Sequence, residues 1–466
     1  MKSCDESVVA ANKAEFGDSY SMLDFVSPSA AAAARSRRDQ MLAELAGRAS
    51  MDCLETKPHW GALSPGCTIC TQGQWSCLFI NNICNGRCFY CPTSQISSSE
   101  PTTNSLRFPN PQDYIDYLSA FGFKGASISG GEPLLTFDRT IRYVRKIKKR
   151  FGSGLHLWLY TNGILASDDN IGQLAEAGLD EIRFDISADN YSLEHIGLAR
   201  GRIPFVTVEI PAIPEDEERL RHLLPRLADA GVSHLNLHHM RCTPHNFKHL
   251  IGRPYAMLHG AKVTVLESEL AALALLVAAA DLGEGAPAVN YCSYAYKSGF
   301  QGRAARLRAA TRLVKPFEDV TGAGYIRSLC LKGSDQELAV RAGTLASRTG
   351  ESGRWRLEKG RGLLFGQEVW PLVDCTGLAL QVSYATPRLQ GAISYQGSHQ
   401  EIVLNRKRTI VAERQTTLSR LVPEEEWRRL AAMFLAEPGS RSGEGEGALA
   451  DLILFERLPA GLVPYS

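Results

Sequence analysis

Three cysteines, Cys84, Cys88 and Cys91, have CX3CX2C spacing in the segment CNGRCFYC. Three thiolates at this spacing can ligate three irons of a cubane [4Fe–4S] cluster and leave the fourth iron open to another ligand. Gly86 lies inside the loop and allows backbone angles that other residues resist. A zinc site or three reduced thiols is the alternative, but structural zinc normally takes four protein ligands.

The cluster loop resembles that of the radical S-adenosylmethionine (SAM) superfamily. Tyr90 stands directly before the last cysteine, where that superfamily carries an aromatic residue. The resemblance implies that SAM binds the open iron through its amino and carboxylate groups. Reductive cleavage of SAM then gives a 5′-deoxyadenosyl radical, so Cys84, Cys88 and Cys91 are the predicted catalytic ligands.

Two glycine-containing motifs further along the chain agree with this resemblance. The segment SGGEP at 129–133 resembles the GGE motif, which implies that Gly130, Gly131 and Glu132 bind the amino group of SAM. Glycines in a strand end let the backbone approach a ligand closely. The segment YTNG at 160–163 resembles another motif of the superfamily and makes Asn162 a candidate. A plain turn is the alternative for each segment, and a turn can also be a site.

Polar residues on three later strands are further candidates for SAM contacts. In RFDIS, alternation along a strand places Arg183, Asp185 and Ser187 on one face. The resemblance implies that a polar residue at this strand end contacts the ribose or carboxylate of SAM. Glu209 and His238 hold similar places on the next two strands. For each of these residues, an ordinary structural role in the barrel is an equal alternative.

Residues 51–78 carry four further cysteines, Cys53, Cys67, Cys70 and Cys77, among glycine, proline and threonine. Cys67 and Cys70 form a CXXC pair, a common way to present two thiolates to one metal. Four thiolates suit zinc, mononuclear iron or an auxiliary iron–sulfur cluster. The segment has few apolar residues, so we expect a second metal to order it. Free thiols are the alternative.

This cysteine layout also resembles a narrower group, the methanogen radical SAM methyltransferase that methylates an arginine of methyl-coenzyme M reductase, and its bacterial relatives. The resemblance covers about residues 50–310. It implies that cobalamin delivers a methyl group to an unactivated carbon, and that Tyr114 or Tyr117 occupies the open iron before SAM binds. The chain lacks a DXHXXG motif, so cobalamin would have no histidine from such a motif below cobalt.

Short apolar runs alternate with amphipathic segments after Cys77, which predicts a parallel α/β sheet. About six such units favour a partial (β/α)6 barrel with functional residues at the carboxyl ends of its strands. The predicted strands are 78–82, 125–129, 155–160, 181–186, 205–210, 234–238 and 288–291. The predicted helices between them include 111–121, 137–151, 168–177, 215–230 and 266–280.

Four regions follow from these patterns. They are an N-terminal extension over 1–50, the cysteine-rich metal-binding loop over 51–78, the partial barrel over 79–293, and a smaller α+β domain over 294–466 that would hold cobalamin or substrate. In the last domain, strands are predicted at 355–364, 368–373, 378–384 and 401–412, a helix at 422–435 and a flexible loop at 440–447. The junction segment 290–303 is either a site lining or a simple connection.

Composition excludes some classes of function. The formal net charge of +1 gives no electrostatic argument for a nucleic-acid partner. The absence of a long apolar run and of a signal-peptide layout predicts no membrane partner and a cytoplasmic location. In a reducing cytosol, the 12 cysteines are expected as metal ligands or thiols. The basic run RKIKKR at 145–150 is interpreted as a solvated helix end.

Three hypotheses follow. The leading one is a cobalamin-dependent radical SAM methyltransferase that acts on an sp3 carbon of a protein or ribosomal peptide and takes electrons from a flavodoxin or ferredoxin. The second is a cobalamin-independent radical SAM enzyme or activase with an auxiliary iron–sulfur cluster. The third is an iron–sulfur binding protein without catalysis, which the GGE-like motif argues against.

Overall fold

The computed structural model describes residues 6–97, 99–349, 353–435 and 449–465. The chain divides into two units. The first comprises Met1–Ser298 together with the C-terminal segment Ala460–Ser466, and the second comprises Gly299–Pro459.

An eleven-stranded sheet forms the centre of the first unit. The strands of this unit are β1 (Ser50–Met51), β2 (Lys57–Trp60), β3 (Trp75–Phe79), β4 (Thr102–Thr103), β5 (Leu106–Arg107), β6 (Gly125–Ser129), β7 (His156–Thr161), β8 (Glu181–Phe184), β9 (Phe205–Pro211), β10 (His234–His238), β11 (Met257–Leu258), β12 (Thr264–Val265) and β13 (Ala288–Cys292). Seven of them are parallel, and each pairs with the next of the seven along the chain, in the order β3, β6, β7, β8, β9, β10 and β13. Short antiparallel strands extend both edges of the sheet.

The helices of this unit lie before, between and after the parallel strands, and those over residues 111–282 connect consecutive ones. They are α1 (Glu6–Phe16), α2 (Pro28–Leu45), α3 (Asp52–Glu55), α4 (Pro65–Thr71), α5 (Pro111–Ala120), α6 (Phe137–Phe151), α7 (Asp168–Glu176), α8 (Ile196–Ala199), α9 (Glu217–Asp229), α10 (Phe247–Leu250), α11 (Leu266–Leu282) and α12 (Tyr294–Tyr296). Short 3-10 helices lie at Gly17–Met22, Pro133–Thr136, Gly152–Gly154, Ile186–Asp189, Pro214–Asp216 and Gly283–Gly285, and a π-helix at Lys297–Gln301. Local sequence explains their ends: Ser167 caps α7 with a reciprocal capping box, and Gly152, with φ of +53°, ends α6.

The predicted α/β partial barrel is confirmed, with seven parallel strands. The first strand is the least accurate prediction, since it spans Trp75–Phe79 and not 78–82. The apolar run continues through Ile80, whose N–H still bonds to the carbonyl of Ser129 over 2.7 Å. The chain then turns into the cluster loop. The run of apolar residues therefore places the end of the strand later in the chain than the structure does.

The second unit is a sheet with helices against it. Its strands are β14 (Asp319–Val320), β15 (Ile326–Lys332), β16 (Trp355–Glu358), β17 (Gly362–Phe365), β18 (Ala379–Gln390), β19 (His399–Asn405) and β20 (Arg408–Val422), all paired antiparallel. Its helices are α13 (Gly302–Leu313), α14 (Asp335–Thr349), α15 (Trp427–Leu435) and α16 (Ala450–Glu456), with 3-10 helices at Gln367–Leu372 and Glu424–Glu426. The smaller α+β unit is thus confirmed.

Three details of that unit differ from the sequence prediction, and the first is that the strand predicted at 355–364 is a hairpin of β16 and β17. The strand predicted at 368–373 is wrong, because this segment forms the 3-10 helix Gln367–Leu372, which contains Pro371; proline lacks the N–H that a sheet ladder needs. The predicted strand at 401–412 is a hairpin of β19 and β20. The loop predicted at 440–447 lies outside the described residues. Throughout the part of the chain that is described, no helix has both the length and the apolar character to cross a membrane.

Candidate active site

A cavity of about 510 Å³ in the first unit brings together most of the side chains that the sequence singled out. Cys84, Cys88, Cys91 and Tyr90 line one part of it. The predicted SAM-binding residues Gly130, Gly131, Glu132, Asn162, Asp185, Glu209 and His238 line the remainder. Ser187 joins this group through its contact with Tyr90. The volume lies in the range of small-molecule sites.

The cluster-loop thiols are grouped around Gly86. A Cβ atom added at Gly86 would lie 3.4 Å from the sulfur of Cys84 and 3.5 Å from that of Cys88. The N–H of Gly86 donates to the Cys84 sulfur over 3.3 Å, and Nδ2 of Asn162 lies 3.7 Å from the same sulfur. Three thiols in one loop, with two N–H donors directed at the sulfur of Cys84, fit the ligand set of an iron–sulfur cluster.

Gly130 and Gly131 pack against the segment that leads into the cluster loop. Gly130 has φ of +132°, and a Cβ atom there would lie 2.6 Å from the carbonyl oxygen of Asn81. A Cβ atom at Gly131 would lie only 1.7 Å from the carbonyl oxygen of Ile83. No side chain fits at either position, so the glycines let β6 and the cluster loop come together.

Glu132 is buried and its carboxylate is surrounded by protein donors. Oε1 accepts hydrogen bonds from the N–H of Leu134 over 2.9 Å and from the hydroxyl of Thr161 over 2.8 Å, and Oε2 accepts from the N–H of Asn162 over 2.7 Å. Burial raises the pKa of Glu132 to about 7, although these donors oppose the rise. The GGE and TNG segments are therefore joined through this one side chain.

Tyr90 ties the cluster loop to the end of β8. Its hydroxyl donates to Oδ2 of Asp185 over 3.1 Å and lies 2.6 Å from Oγ of Ser187. Asn246 holds the same stretch from the other side, because its Nδ2 donates to the carbonyl of Tyr90 over 2.9 Å. Burial raises the pKa of Asp185. Asp185 and Ser187 thus contact the cluster loop itself, beside the cavity.

A chain of charged side chains crosses the barrel interior. Arg183 is 4% exposed, and its guanidinium donates to Glu209 over 2.6 Å and to Glu181 over 2.8 Å. The other oxygen of Glu209 lies 2.6 Å from Nε2 of His238, whose Nδ1 lies 2.8 Å from Nζ of Lys297. Burial opposes ionisation of Glu209, but Arg183 and His238 hold its pKa well below its usual range. Glu209 and His238 line the cavity while already engaged with protein partners.

The four upstream cysteines have separate partners. The Cys67 sulfur lies 3.6 Å from Oδ1 of Asn236, and the hydroxyl of Tyr296 donates to Cys70 over 3.1 Å. Cys77 faces the cavity, and Cys53 lies in a left-handed turn with φ of 55°. Over the described ranges, no group of three or more His, Cys, Asp or Glu side chains is spaced to hold one metal ion. This includes Cys84, Cys88 and Cys91, each of which would ligate a separate iron of a cluster. A second metal at these cysteines stays a prediction.

Sequence reasoning missed a buried pair of a lysine and a cysteine. Nζ of Lys57, fully buried, lies 3.0 Å from the sulfur of Cys292. Burial disfavours the thiolate, but Lys57, His238 and Lys297 together lower the pKa of Cys292 to about 5. The only available signal was a lysine at the start of a buried strand. The junction segment 290–303 does contribute to the cavity wall, through Tyr294 and Lys297.

Tyr114 and Tyr117 lie elsewhere. Both are buried in an aromatic cluster with Phe108, and the hydroxyl of Tyr114 donates to Oγ of Ser76 over 3.0 Å. Neither tyrosine belongs to the cavity wall. The structure therefore gives both a packing role in the core.

Parts of the chain are similar to known proteins. Residues 78–200 match the family model of the Radical SAM superfamily. A Methanocaldococcus jannaschii protein provisionally named as a glycyl-radical enzyme activating enzyme is 29% identical over 280 residues, which cover 58% of this chain and 73% of that protein. The GTP 3′,8-cyclase of Lactiplantibacillus plantarum is 34% identical over 117 residues, 25% of this chain and 34% of the cyclase. A solved structure of the radical SAM methyltransferase TsrM from Kitasatospora setae shares 16% identity, covers 41% of this chain and 42% of TsrM, and has a TM-score of 0.30.

A cavity lined by a three-cysteine loop at the carboxyl end of a parallel sheet suits an iron–sulfur cluster beside a bound small molecule. The segment that matches the Radical SAM superfamily, residues 78–200, carries this loop together with the GGE and TNG segments.

Proposed function

We propose that this chain cleaves SAM and uses the resulting 5′-deoxyadenosyl radical to take a hydrogen atom from an sp3 carbon of a protein or ribosomal peptide. One observation carries the proposal. The three thiols of the CX3CX2C loop and the GGE and TNG segments line the same cavity of about 510 Å³. A cluster held by the thiols and a small molecule held by the two segments would therefore share this cavity.

The residues of the chain have separable tasks in this proposal. When bound, a [4Fe–4S] cluster supplies the electron that cleaves SAM. Cys84, Cys88 and Cys91 hold it, while Gly130 and Gly131 keep the neighbouring strand end close enough to offer backbone groups to SAM. The charged chain through Glu209 and His238 keeps the cavity floor rigid, because each member is bonded to the next.

The test is SAM cleavage by anaerobically reconstituted protein with dithionite, measured as 5′-deoxyadenosine by mass spectrometry. Replacing Cys84, Cys88 or Cys91 with alanine is expected to abolish the product, since two thiolates hold a cubane poorly. Cys375→Ala is the matched control, because Cys375 is a buried cysteine of the second unit. Full cleavage by any cluster-loop variant would refute the proposal.

We propose that the substrate radical is methylated, as the first candidate for its fate. This candidate is supported by the resemblance of the cysteine layout to that of the arginine methyltransferase group. When bound, cobalamin would supply the methyl group. Both ring nitrogens of His238 are engaged, with Glu209 and Lys297, so this histidine offers no free ligand to cobalt. The test is the amount of cobalt bound per chain after the protein is supplied with cobalamin. If the protein never binds cobalamin, methylation by this route is excluded.

A second candidate is activation of a partner enzyme, or another peptide modification, without cobalamin. The similarity to a protein named as a glycyl-radical enzyme activating enzyme favours it. Cys53, Cys67, Cys70 and Cys77 would then hold an auxiliary cluster. An iron content close to that of two cubane clusters per chain, without cobalt, supports this second candidate. An iron content close to that of one cubane, which Cys67→Ala leaves unchanged, would exclude the auxiliary cluster.

A further inference from the structure

Two basic side chains line the cavity just after the last two parallel strands. Arg241 follows β10 and Lys297 follows β13, and these strands are direct neighbours in the sheet. Nζ of Lys297 lies 2.8 Å from Nδ1 of His238, the last residue of β10. Burial raises the pKa of Tyr294, and Arg241 opposes that rise, which places the guanidinium beside the chain segment that carries Lys297. The two cations therefore share one part of the cavity wall.

The acidic residues of the cavity wall are already engaged with other groups. Among the described residues that line the cavity, the acids are Glu132, Asp185 and Glu209. Glu132 accepts bonds from backbone N–H groups and a hydroxyl, and Asp185 accepts from the cluster loop. Glu209 is paired with Arg183 and His238. No acid of the wall is thus bonded to either of the two cations.

The ammonium group of Lys297 is bonded to a neutral acceptor. Because Nε2 of His238 donates to Glu209, Nδ1 of the same ring accepts from Lys297. The sulfur of Cys292 is also near, but it contacts Lys57 over 3.0 Å, so that one thiol serves two lysines. Burial lowers the pKa of Lys297, as expected where no opposite charge is bonded to a half-buried ammonium. A bound anion would supply the missing charge.

Arg241 is also left with too few acceptors. Its Nη2 lies 3.2 Å from Oε1 of Glu15, and the same oxygen lies 2.8 Å from Nζ of Lys262. One carboxylate therefore serves two cations. Nε of Arg241 is buried and has no hydrogen-bond partner, which is uncommon for a buried N–H group in a folded protein. The guanidinium can accommodate a further anionic acceptor.

The backbone at Lys297 gives an observation that does not depend on charge. Lys297–Gln301 forms a π-helix between α12 and α13, and Lys297 is its first residue. Such turns are rare and occur mostly at functional sites. The irregular turn thus begins at the residue that lines the cavity.

We propose that Arg241 and Lys297 bind a carboxylate of the peptide substrate, supplied by an acidic side chain or by the C-terminus. The inference rests on the proposed function, because it places the substrate in the cavity where the radical would form. Two cations on neighbouring strands offer a carboxylate several charge-assisted hydrogen bonds. An anchored carboxylate would hold the chain so that one carbon is presented for hydrogen abstraction. The competing occupant is the carboxylate of SAM.

The test compares three pools of synthetic hexapeptides that carry an uncharged BODIPY dye and otherwise only uncharged residues. One pool has a fixed Glu and an amidated C-terminus, one has Gln and a free C-terminus, and one has Gln and an amidated C-terminus. Fluorescence anisotropy measures their affinity for the anaerobically reconstituted protein. We expect a carboxylate pool to bind about tenfold more tightly than the uncharged pool, and the pool that does so identifies the source of the carboxylate.

Substitutions assign this preference to the two cations. Lys297→Gln and Arg241→Gln should each reduce the preference at least about threefold, whereas Lys297→Arg, which keeps the charge, should retain it. Lys359→Gln is the matched control, because it removes one positive charge at an exposed turn of the second unit. Affinity for SAM is measured in parallel by calorimetry.

Each other result has a definite meaning. Equal affinity of the unmodified protein for all three pools overturns the carboxylate site. A preference that survives both glutamine substitutions also overturns it, because the anion then binds elsewhere. A fall in SAM affinity with an unchanged pool preference assigns the two cations to SAM and overturns it as well. A protein that shows the expected preference but never cleaves SAM with dithionite keeps the carboxylate site, and the proposed function fails instead.

Discussion

The carboxylate of Glu132 accepts a 2.7 Å hydrogen bond from the backbone N–H of Asn162. The same carboxylate binds the hydroxyl of Thr161 and the N–H of Leu134. The ends of β6 and β7 are thereby joined under the cluster loop, where Nδ2 of Asn162 also reaches Asn85 over 2.8 Å. Glu132 shapes the site through the loops that it connects.

Glu132→Gln is expected to loosen this joint without removing a cluster ligand. The amide keeps one acceptor oxygen but turns an NH2 group toward an N–H or O–H donor, which leaves buried donors unsatisfied at a cost of about 1–3 kcal/mol. Unfolding in urea should show this loss, and calorimetry should show weaker SAM binding. Asp138→Asn, at an exposed acid of α6, is the control. Unchanged stability and SAM affinity would contradict the role of Glu132.

Gly131→Ala is expected to prevent cluster assembly. Its Cβ would fall 1.7 Å from the carbonyl oxygen of Ile83, so β6 and the cluster loop must separate. The control is Gly343→Ala in α14, where a Cβ meets nothing within 4 Å. That change should be neutral or stabilise by up to about 1 kcal/mol. Iron per chain after reconstitution is the measurement, and a Gly131→Ala protein with full iron content would show that the packing is not needed.

The sequence was sufficient for the sheet and the cluster loop because both are local signals. Apolar runs separated by amphipathic helices define parallel strands, and three cysteines within eight residues define the loop. Contacts distant in sequence could not be read in this way. Lys57 and Cys292 are 235 positions apart in the chain, and no local sequence pattern indicates that their side chains are in contact.

The roles of individual polar residues were harder to predict for the same reason. Alternation along RFDIS applies to Arg183 only, because β8 ends at Phe184, Asp185 caps the 3-10 helix Ile186–Asp189 and Ser187 lies within that helix. The alternation could not show that Arg183 is hydrogen-bonded to Glu181 and Glu209, or that Asp185 is hydrogen-bonded to Tyr90. A polar residue at a strand end contacts whatever the fold brings near, which is decided by tertiary packing.

Tyr90→Phe is expected to weaken the attachment of the cluster loop. The change removes the hydroxyl that bridges Asp185 and Ser187 and leaves a half-buried carboxylate with one donor fewer, at a cost of about 1–3 kcal/mol. Iron should be lost to a chelator faster than from the unmodified protein. Tyr395→Phe, at a tyrosine that is 85% exposed, is the control. Identical iron-release rates for both variants would place the anchoring of the loop elsewhere.

The lowered pKa of Glu181 predicts how the stability of the barrel depends on pH. Burial opposes its ionisation, yet Arg183 and His156 lower its pKa from 4.5 to about 2. A carboxyl group whose pKa is lower in the folded chain contributes stability that is complete above the unfolded pKa and is lost as pH falls toward the folded pKa. The stabilisation, about 3 kcal/mol at neutral pH, should therefore disappear between pH 4.5 and about 2.

Urea unfolding of the unmodified protein and of Glu181→Gln over this pH range tests the assignment. The variant should be less stable at neutral pH, because Arg183 then loses the charge of Glu181 and keeps only Glu209 as a charged partner. The informative quantity is the difference in unfolding free energy between the two proteins, which should shrink as the pH falls below 4.5. A difference that stays constant with pH would mean that Glu181 titrates normally in the folded chain and that its partners do not stabilise its charge.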